Sequence, residues 1–378
     1  MALDYYVRSG QKLLRCGYTT GTCAALAAAG ATRLLLTGRP PETLRLVTPK
    51  GVAVEVEPAE WAAEDGKARC AVYKDGGDDA DITTGHLVVA AVTKTASGIT
   101  IDGGKGVGRV TKPGLDQPVG AAAINHVPRR MIGQAVQAVC EEAGYEGGLS
   151  VVISVPDGEE LARRTFNPML GIEGGISILG TSGIVEPMSI QAIVDTIAVE
   201  MHQAAVSGAR DILLTPGNYG LDFLKETALI PENIPCVKFS NFVGEALDIA
   251  ASEGFQTALL VGHIGKLVKL AGGVMNTHSK WADCRMELFC AHAAVCGGTT
   301  ALCRRLMEAA TTDACIALLD ETGLRESVLE SLLAAIQRHL DHRVGDTMQV
   351  GAVMFSNEYG FLGQTETAKK IMEQWRKI

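Results

Sequence analysis

Four short segments carry residues able to do chemistry at a recurring place in the chain. Residues 180–183 read Gly-Thr-Ser-Gly, 215–220 Thr-Pro-Gly-Asn-Tyr-Gly, 240–244 Ser-Asn-Phe-Val-Gly, and 262–266 Gly-His-Ile-Gly-Lys. Each follows a short apolar run and precedes a helix-like stretch. A small polar turn before a helix leaves backbone N–H groups and a partial positive charge facing outward. That chemistry suits a nucleotide-like or carboxylate-bearing ligand. One such turn is equally a tight strand-to-helix connection, but four in a series favour a ligand.

Positive charge gathers in two windows. Lys105, Arg109, Lys112, Arg129 and Arg130 lie between residues 101 and 140, where the acids are Asp102 and Asp116. Lys266, Lys269, Lys280 and Arg285 lie between 261 and 290, against Asp283 and Glu287, with His263 and His278 close by. In a chain of net charge −9 these windows are the places able to hold a polyanion. Any single lysine among them reads equally as solvated surface.

Several other chemistries lack their signatures. Gly104, Gly106 and Gly108 do not make G-x-G-x-x-G, and 262–267 has neither the spacing nor the hydroxyl of a P-loop. His339 and His342 are three apart without a third ligand nearby, and Cys284, Cys290 and Cys296 recur at six, off any one helical face, so no metal site is expected. Ser182 lacks the G-x-S-x-G elbow of a nucleophilic serine.

The elements that must position these segments change along the chain. Thr19-Thr20-Gly21-Thr22 opens an Ala/Leu-rich helix that Gly38 and Pro40 end. Strand-like stretches follow at 44–47, 52–57, 68–73, 99–101, 107–110 and 150–155, with a helix over 129–143, so residues 1–168 read as an α+β domain. From 169 to 280 the rhythm is strand, polar loop, helix, with strands at 176–179, 211–214, 237–239 and 257–261. That order predicts a parallel, Rossmann-like α/β domain, whose ligands bind beyond the carboxyl ends of the strands. Residues 281–378 are mainly helical, with one returning strand at 348–355 that packs on the preceding domains.

Composition narrows the class further. The 378 residues are 47% hydrophobic and 20% charged, which argues against disorder. Aromatic residues are only 5%, and the charge balance is acidic, so a nucleic-acid partner is not expected. No apolar run approaches the roughly 20 residues of a bilayer span, and the start lacks a signal-peptide core. Ten scattered cysteines without a C-x-x-C pair read as reduced thiols, and the expectation is a cytoplasmic protein.

Seven ordered motifs then carry a resemblance over essentially the whole chain. They are Gly17-Tyr-Thr-Thr-Gly-Thr-Cys-Ala24, Gly106-Val-Gly-Arg-Val-Thr-Lys-Pro-Gly114, Gly180-Thr-Ser-Gly-Ile-Val-Glu-Pro187, Pro216-Gly-Asn-Tyr-Gly220, Ser240-Asn-Phe-Val-Gly244, Gly262-His-Ile-Gly-Lys-Leu-Val-Lys269 and Asn276-Thr-His-Ser279. With them the chain resembles the cobalt-precorrin-5B carbon-1 methyltransferase family of anaerobic cobalamin biosynthesis. The resemblance implies transfer of a methyl group from S-adenosylmethionine to ring carbon 1 of a cobalt corrinoid, giving cobalt-precorrin-6A. It also implies a fold distinct from the tetrapyrrole methyltransferases, with cobalt present only as part of the substrate.

Roles for individual residues follow as expectations. Gly180, Thr181, Ser182, Gly183, Gly217, Asn218, Ser240 and Asn241 are expected to cradle S-adenosylmethionine, with Glu186 accepting from its ribose or amino group. Thr19, Thr20, Thr22, Lys105, Arg109, Lys112, Lys266 and Lys269 are expected to bind the carboxylate arms of the polyanionic corrinoid. His263 and His278 are candidates for contacting the ring or assisting a proton loss, or are structural histidines. Two other classes stay open: a nicotinamide-dependent oxidoreductase, and a corrinoid carrier without catalysis.

Overall fold

The computed structural model describes residues 3–377 apart from 10, 65, 166, 169, 228 and 232. The chain divides into two compact units, Met1–Ile190 and Gln191–Ile378. Both are mixtures of helix and sheet.

Unit 1 is built on helix α1 (Thr20–Thr37), helix α2 (His126–Glu142) and five strands, β1 (Glu60–Glu64), β2 (Lys67–Tyr73), β3 (Leu87–Thr95), β4 (Ile99–Gly103) and β5 (Gly148–Ser154). The sheet runs β1-β2-β3-β5-β4, antiparallel except for the parallel β5–β4 pair. Alternate residues point to one face, so Ala68, Cys70 and Val72, then Val88, Ala90 and Val92, then Leu149, Val151 and Ile153 bury together. Both helices belong to the core on that face. Small side chains let α1 approach closely: a Cβ on Gly30 would lie 2.7 Å from Cys70 Sγ.

Beside α1 a polar knot fixes the 74–85 loop. The Arg15 guanidinium forms two bonds to Asp75, at 2.6 and 2.8 Å, and the buried Lys74 ammonium meets Asp81 at 2.8 Å. The Arg15 hydrogen bond, opposed by burial, holds the Asp75 carboxyl below the usual range. A depressed folded-state pKa contributes stability above the unfolded value of about 3.9, lost as pH falls through the folded value. Urea midpoints of the full chain should therefore drop more steeply below pH about 4 than those of Asp75→Asn, which lacks this contribution. Equal acid slopes would contradict it.

Unit 2 contains β6 (Asp211–Thr215), β7 (Cys236–Lys238), β8 (Thr257–His263), β9 (Gln349–Ser356) and β10 (Gly360–Gln364). Its longer helices are α3 (Ile190–Val206), α4 (Asn218–Thr227), α5 (Val243–Ser252), α6 (Arg285–Val295), α7 (Thr300–Glu308), α8 (Thr312–Thr322), α9 (Arg325–Val344) and α10 (Glu366–Trp375). The sheet order is β7-β6-β8-β9-β10, parallel through β9 with β10 antiparallel. Phe223 of α4 and Ile371, Met372 and Trp375 of α10 cover one face. Side chains of α3, α5 and α9 share the core on the other. Because α4 and α5 leave on opposite faces, the strand order reverses between β6 and β8, the place where open parallel sheets bind their ligands. No helix among the described residues is long and apolar enough to cross a membrane.

Two features differ from the sequence expectations. The run at 176–179 is not a strand of the parallel sheet: Gly175–Ile176 pairs with Gly106–Val107, and Ile184–Val185 with Gly17–Tyr18, both within unit 1. The physical reason is close backbone approach, since a Cβ on Gly175 would lie 2.2 Å from the Gly106 carbonyl oxygen. The fourth parallel strand is β9, from the far end of the chain, so the helices of residues 281–378 share a core with the strands before them.

Candidate functional site

Three of the four polar turns meet at the carboxyl edge of the parallel sheet in unit 2. After β6, Thr215 Oγ1 donates to the Gly217 carbonyl at 2.8 Å and accepts from its N–H at 3.2 Å, a local turn that starts α4. A Cβ on Gly220 would lie 2.2 Å from that hydroxyl oxygen, so only glycine fits. Gly217 is different, because its missing side chain faces open space. Asn218 is exposed beside it and accepts from Lys238 Nζ of β7 at 2.8 Å.

After β7, Ser240 sits in the left-handed region at φ 57°, which costs a non-glycine residue about 1–2 kcal/mol. Such strain persists where neighbours over-determine it. Here they do. Lys266 Nζ donates to the Ser240 carbonyl at 3.1 Å, and the Thr277 N–H donates to the Asn241 carbonyl at 3.0 Å. Gly244 N–H reaches the Met275 carbonyl at 3.1 Å, so the 276–279 motif braces the 240–244 motif.

Lys266 and Lys269 follow β8 and differ in what they do. Lys269 is 3% exposed and donates to the Thr277 and Ala282 carbonyls at 3.0 and 2.9 Å. It clamps the 277–282 segment. Lys269→Met should cost the full chain about 1–3 kcal/mol by stranding those carbonyls, with faster hydrogen exchange across 276–283. An unchanged denaturation midpoint would contradict the clamp. The half-buried Lys266 forms no carboxylate ion pair among the described residues, and burial, then Lys269, lowers its pKa. A half-buried ammonium solvated by one carbonyl is suited to receive an anion.

His263 closes β8. Its Nδ1 accepts from the Gly265 N–H at 3.1 Å, and burial lowers its pKa against an opposing pull from Asp313. Asp313 stands in the first turn of α8 and accepts from Ser356 Oγ of β9 at 2.6 Å. His278 is exposed, and its Nδ1 accepts from the Lys280 N–H at 3.0 Å, a turn bond.

The remaining expected residues lie in unit 1. Thr19 caps α1, and Thr19, Thr20 and Thr22 are all buried. Thr22 Oγ1 donates to the Gly183 carbonyl at 2.7 Å, while Thr20 Oγ1 accepts from the Leu179 N–H at 3.0 Å. Their hydroxyls hold the 177–183 segment and are not presented to a ligand. Gly180 must be glycine, at φ 131° with a Cβ position 2.4 Å from Thr19. Ser182 Oγ donates to the Ile184 carbonyl, Thr181 is exposed, and Glu186 is ion-paired with Lys50. The turn from Gly180 to Gly183 thus packs on the start of α1.

The basic loop of unit 1 keeps its cations at the surface. Lys105, Arg109 and Lys112 are exposed, with Arg109 bonded to Asp102 at 2.9 Å and the Lys112 stem over Gly171. Arg129 is instead structural, donating to the Ile124 and Ile101 carbonyls at 2.8 Å each. No cluster of three or more His, Cys, Asp or Glu able to hold a metal occurs among the described residues.

Sequence reasoning missed three polar groups in unit 2. Lys238 was hidden as the last residue of a short strand. Glu200, half-buried on α3 with its pKa raised by burial, is placed near Lys238 only by folding. Asp313 lies 50 residues beyond His263, and nothing local joins them.

Comparison with known proteins agrees with the motif order. A profile of the CbiD family matches residues 7–187, and one of the CbiD C-terminal domain matches 276–366. The cobalt-precorrin-5B C(1)-methyltransferase of Ruminiclostridium cellulolyticum is 46% identical over 94% of this chain and 92% of its own. The protein of the same name from Alkaliphilus metalliredigens is 40% identical over 98% of this chain and 97% of its own. A crystal structure of a cobalamin biosynthesis protein (cbiD) from Archaeoglobus fulgidus is 33% identical, covering 71% of this chain and 83% of its own, at a TM-score of 0.39. With both profiles matched in order and close relatives aligned nearly end to end, the chain belongs to the CbiD family.

Proposed function

We propose that this chain methylates ring carbon 1 of cobalt-precorrin-5B, giving cobalt-precorrin-6A, with S-adenosylmethionine as donor and the carboxyl edge of the unit 2 sheet as the donor site. Family membership supports the reaction. One structural observation supports the place. Three family motifs lie at the strand-order reversal of the mostly parallel unit 2 sheet, where Lys266 forms no carboxylate ion pair among the described residues.

The residues at this edge fit such a donor. Asn218, Ser240 and Asn241 offer both donors and acceptors, and Lys266 offers a cation for a carboxylate. Open space over Gly217 leaves room for a ligand against the backbone. When bound, S-adenosylmethionine supplies an electrophilic methyl carried on a sulfonium. The chain contributes alignment, holding the reacting atoms about 3–3.5 Å apart, and exclusion of water. The conjugated ring carbon is itself electron-rich, so no nucleophile from the chain is required. Lys105, Arg109 and Lys112 are the exposed cations assigned to the carboxylate arms of the corrinoid, while Thr19, Thr20, Thr22, Gly180 and Gly183 frame unit 1.

Calorimetry with S-adenosylhomocysteine alone tests the reading. The full chain should bind it, and Gly217→Trp, whose new side chain enters open space, should fold normally and lose that affinity. A folded wild-type chain that binds corrinoid but not S-adenosylhomocysteine would be a carrier. Unimpaired binding by Gly217→Trp would put the donor elsewhere.

A further inference from the structure

The ring of His263 is held on two sides. Gly265 N–H donates to Nδ1 at 3.1 Å, and a Cβ at 265 would lie 3.2 Å from that nitrogen, so glycine leaves the amide room to approach. Phe355 of β9 meets the imidazole at 88° with centroids 5.7 Å apart, and Phe355 itself stacks on Phe223 at 4.4 Å. These contacts fix which way the ring faces.

The direction of the Gly265 bond fixes the proton. A backbone N–H donates only to a lone pair, so Nδ1 carries no hydrogen, and the neutral ring holds its one proton on Nε2. Nε2 meets no hydrogen-bond partner among the described residues. A ring in this state has no lone pair at Nε2 with which to take a proton. Protonating Nδ1 would break the Gly265 bond and place a cation in a half-buried site. Burial disfavours that cation, and Asp313, the acid facing the ring from α8, opposes burial without overcoming it.

We propose that His263 acts as a neutral hydrogen-bond donor, presenting Nε2–H to a carboxylate oxygen of the ligand bound at this sheet edge, and does not act as a base. The proposal rests on reading this edge as the ligand site. It pairs a fixed neutral donor with the Lys266 cation, so that a carboxylate is met by one directional bond and one charge. Two sources offer that carboxylate: the amino-acid end of the methyl donor and the acid arms of the corrinoid.

The test uses the full chain with imidazole nitrogens labelled, the His263 signals being assigned by their loss in His263→Gln. Two-bond proton–nitrogen correlation should show Nδ1 bare and Nε2 protonated at neutral pH. The pattern should persist as pH falls through the ordinary histidine midpoint of about 6.5, because burial lowers the value of this ring. Protonation of Nδ1 at neutral pH would overturn the proposal, and so would the opposite tautomer.

Binding and kinetics supply the second readout. His263→Ala should weaken the interaction about ten- to hundredfold, the span of a hydrogen bond to a charged group. His263→Gln, whose amide reaches the Nε2 position, should recover at least about tenfold of that loss, whereas His263→Asn, which reaches only Nδ1, should not. A loss in affinity for S-adenosylhomocysteine puts the carboxylate on the donor. A raised corrinoid KM with unchanged donor affinity puts it on the substrate. If neither moves, or if glutamine is as damaging as alanine, the donor role is wrong. The nitrogen spectrum needs no turnover, so failure of the methyl-transfer reading would be seen separately.

Discussion

Lys266→Ala should raise the Michaelis constant of the anionic ligand about ten- to hundredfold and lower turnover far less. The environment of the ammonium sets this effect. It is half-buried, has one carbonyl partner, and forms no ion pair among the described residues. A charge-assisted hydrogen bond to a carboxylate contributes about 1.5–3 kcal/mol, which sets the size of the loss. Burial and Lys269 depress the pKa of this amine, so affinity should weaken on the alkaline side well below the ordinary lysine value of about 10.4. The alanine variant should lack that alkaline inflection. Lys266→Arg, which retains the charge, should recover part of the affinity. Lost turnover with unchanged ligand affinity would contradict the clamp.

The largest expected effect on stability comes from Gly106→Ala. Gly106 lies at φ 73°, and a Cβ there would sit 1.9 Å from the Val155 carbonyl oxygen. It is also hemmed in from outside, since Cβ atoms on Gly158 and Gly175 would lie 2.0 and 2.2 Å from its own carbonyl oxygen. Left-handed backbone and overpacking together should cost about 3 kcal/mol or more. Gly98→Ala is the control, because Gly98 has nearly the same φ, 72°, and nothing within 4 Å of the added carbon. It should cost only the backbone share, about 1–2 kcal/mol. Hydrogen exchange at the β5 amides reads both variants within unit 1, and equal costs would contradict the steric account.

Much of the architecture is legible in local patterns. Thr19 before an Ala/Leu run marks the start of α1, and the structure shows it capping the helix through the Thr22 N–H. The strands at 211 and 257 stand out because each buried apolar run ends in a polar turn, and the short strand at 236 stands out by the Ser-Asn turn that follows it. Other elements are not local. β3 alternates cleanly, with Val88, Ala90 and Val92 buried, yet its centre is Ala90-Ala91, and alanine favours helix. The run at 176–179 has the same local pattern as the true parallel strands. Its different partner is fixed by distant contacts: Gly175 against Gly106, Gly180 against Thr19, and the Thr20 and Thr22 hydroxyl bonds to Leu179 and Gly183.

The candidate site divides the same way. Gly217, Asn218, Ser240, Asn241, His263 and Lys266 share one sheet edge because strand ends of a parallel sheet meet there, which the loop pattern anticipates. Thr20 and Thr22 have the right chemistry for an anion, but partners more than 150 residues away already occupy their hydroxyls. Lys269 reads as a binding cation by type and works as a clamp by burial. Long-range hydrogen bonding is the information that spacing does not carry.

The central claim is most directly tested by incubating the full chain with carbon-13 methyl-labelled S-adenosylmethionine and cobalt-precorrin-5B, followed by mass spectrometry and NMR of the corrinoid. The account predicts one added labelled methyl, bonded to ring carbon 1, and its disappearance in Gly217→Trp. An intact, unmethylated corrinoid in the presence of folded protein, or a methyl at any other carbon, would contradict it.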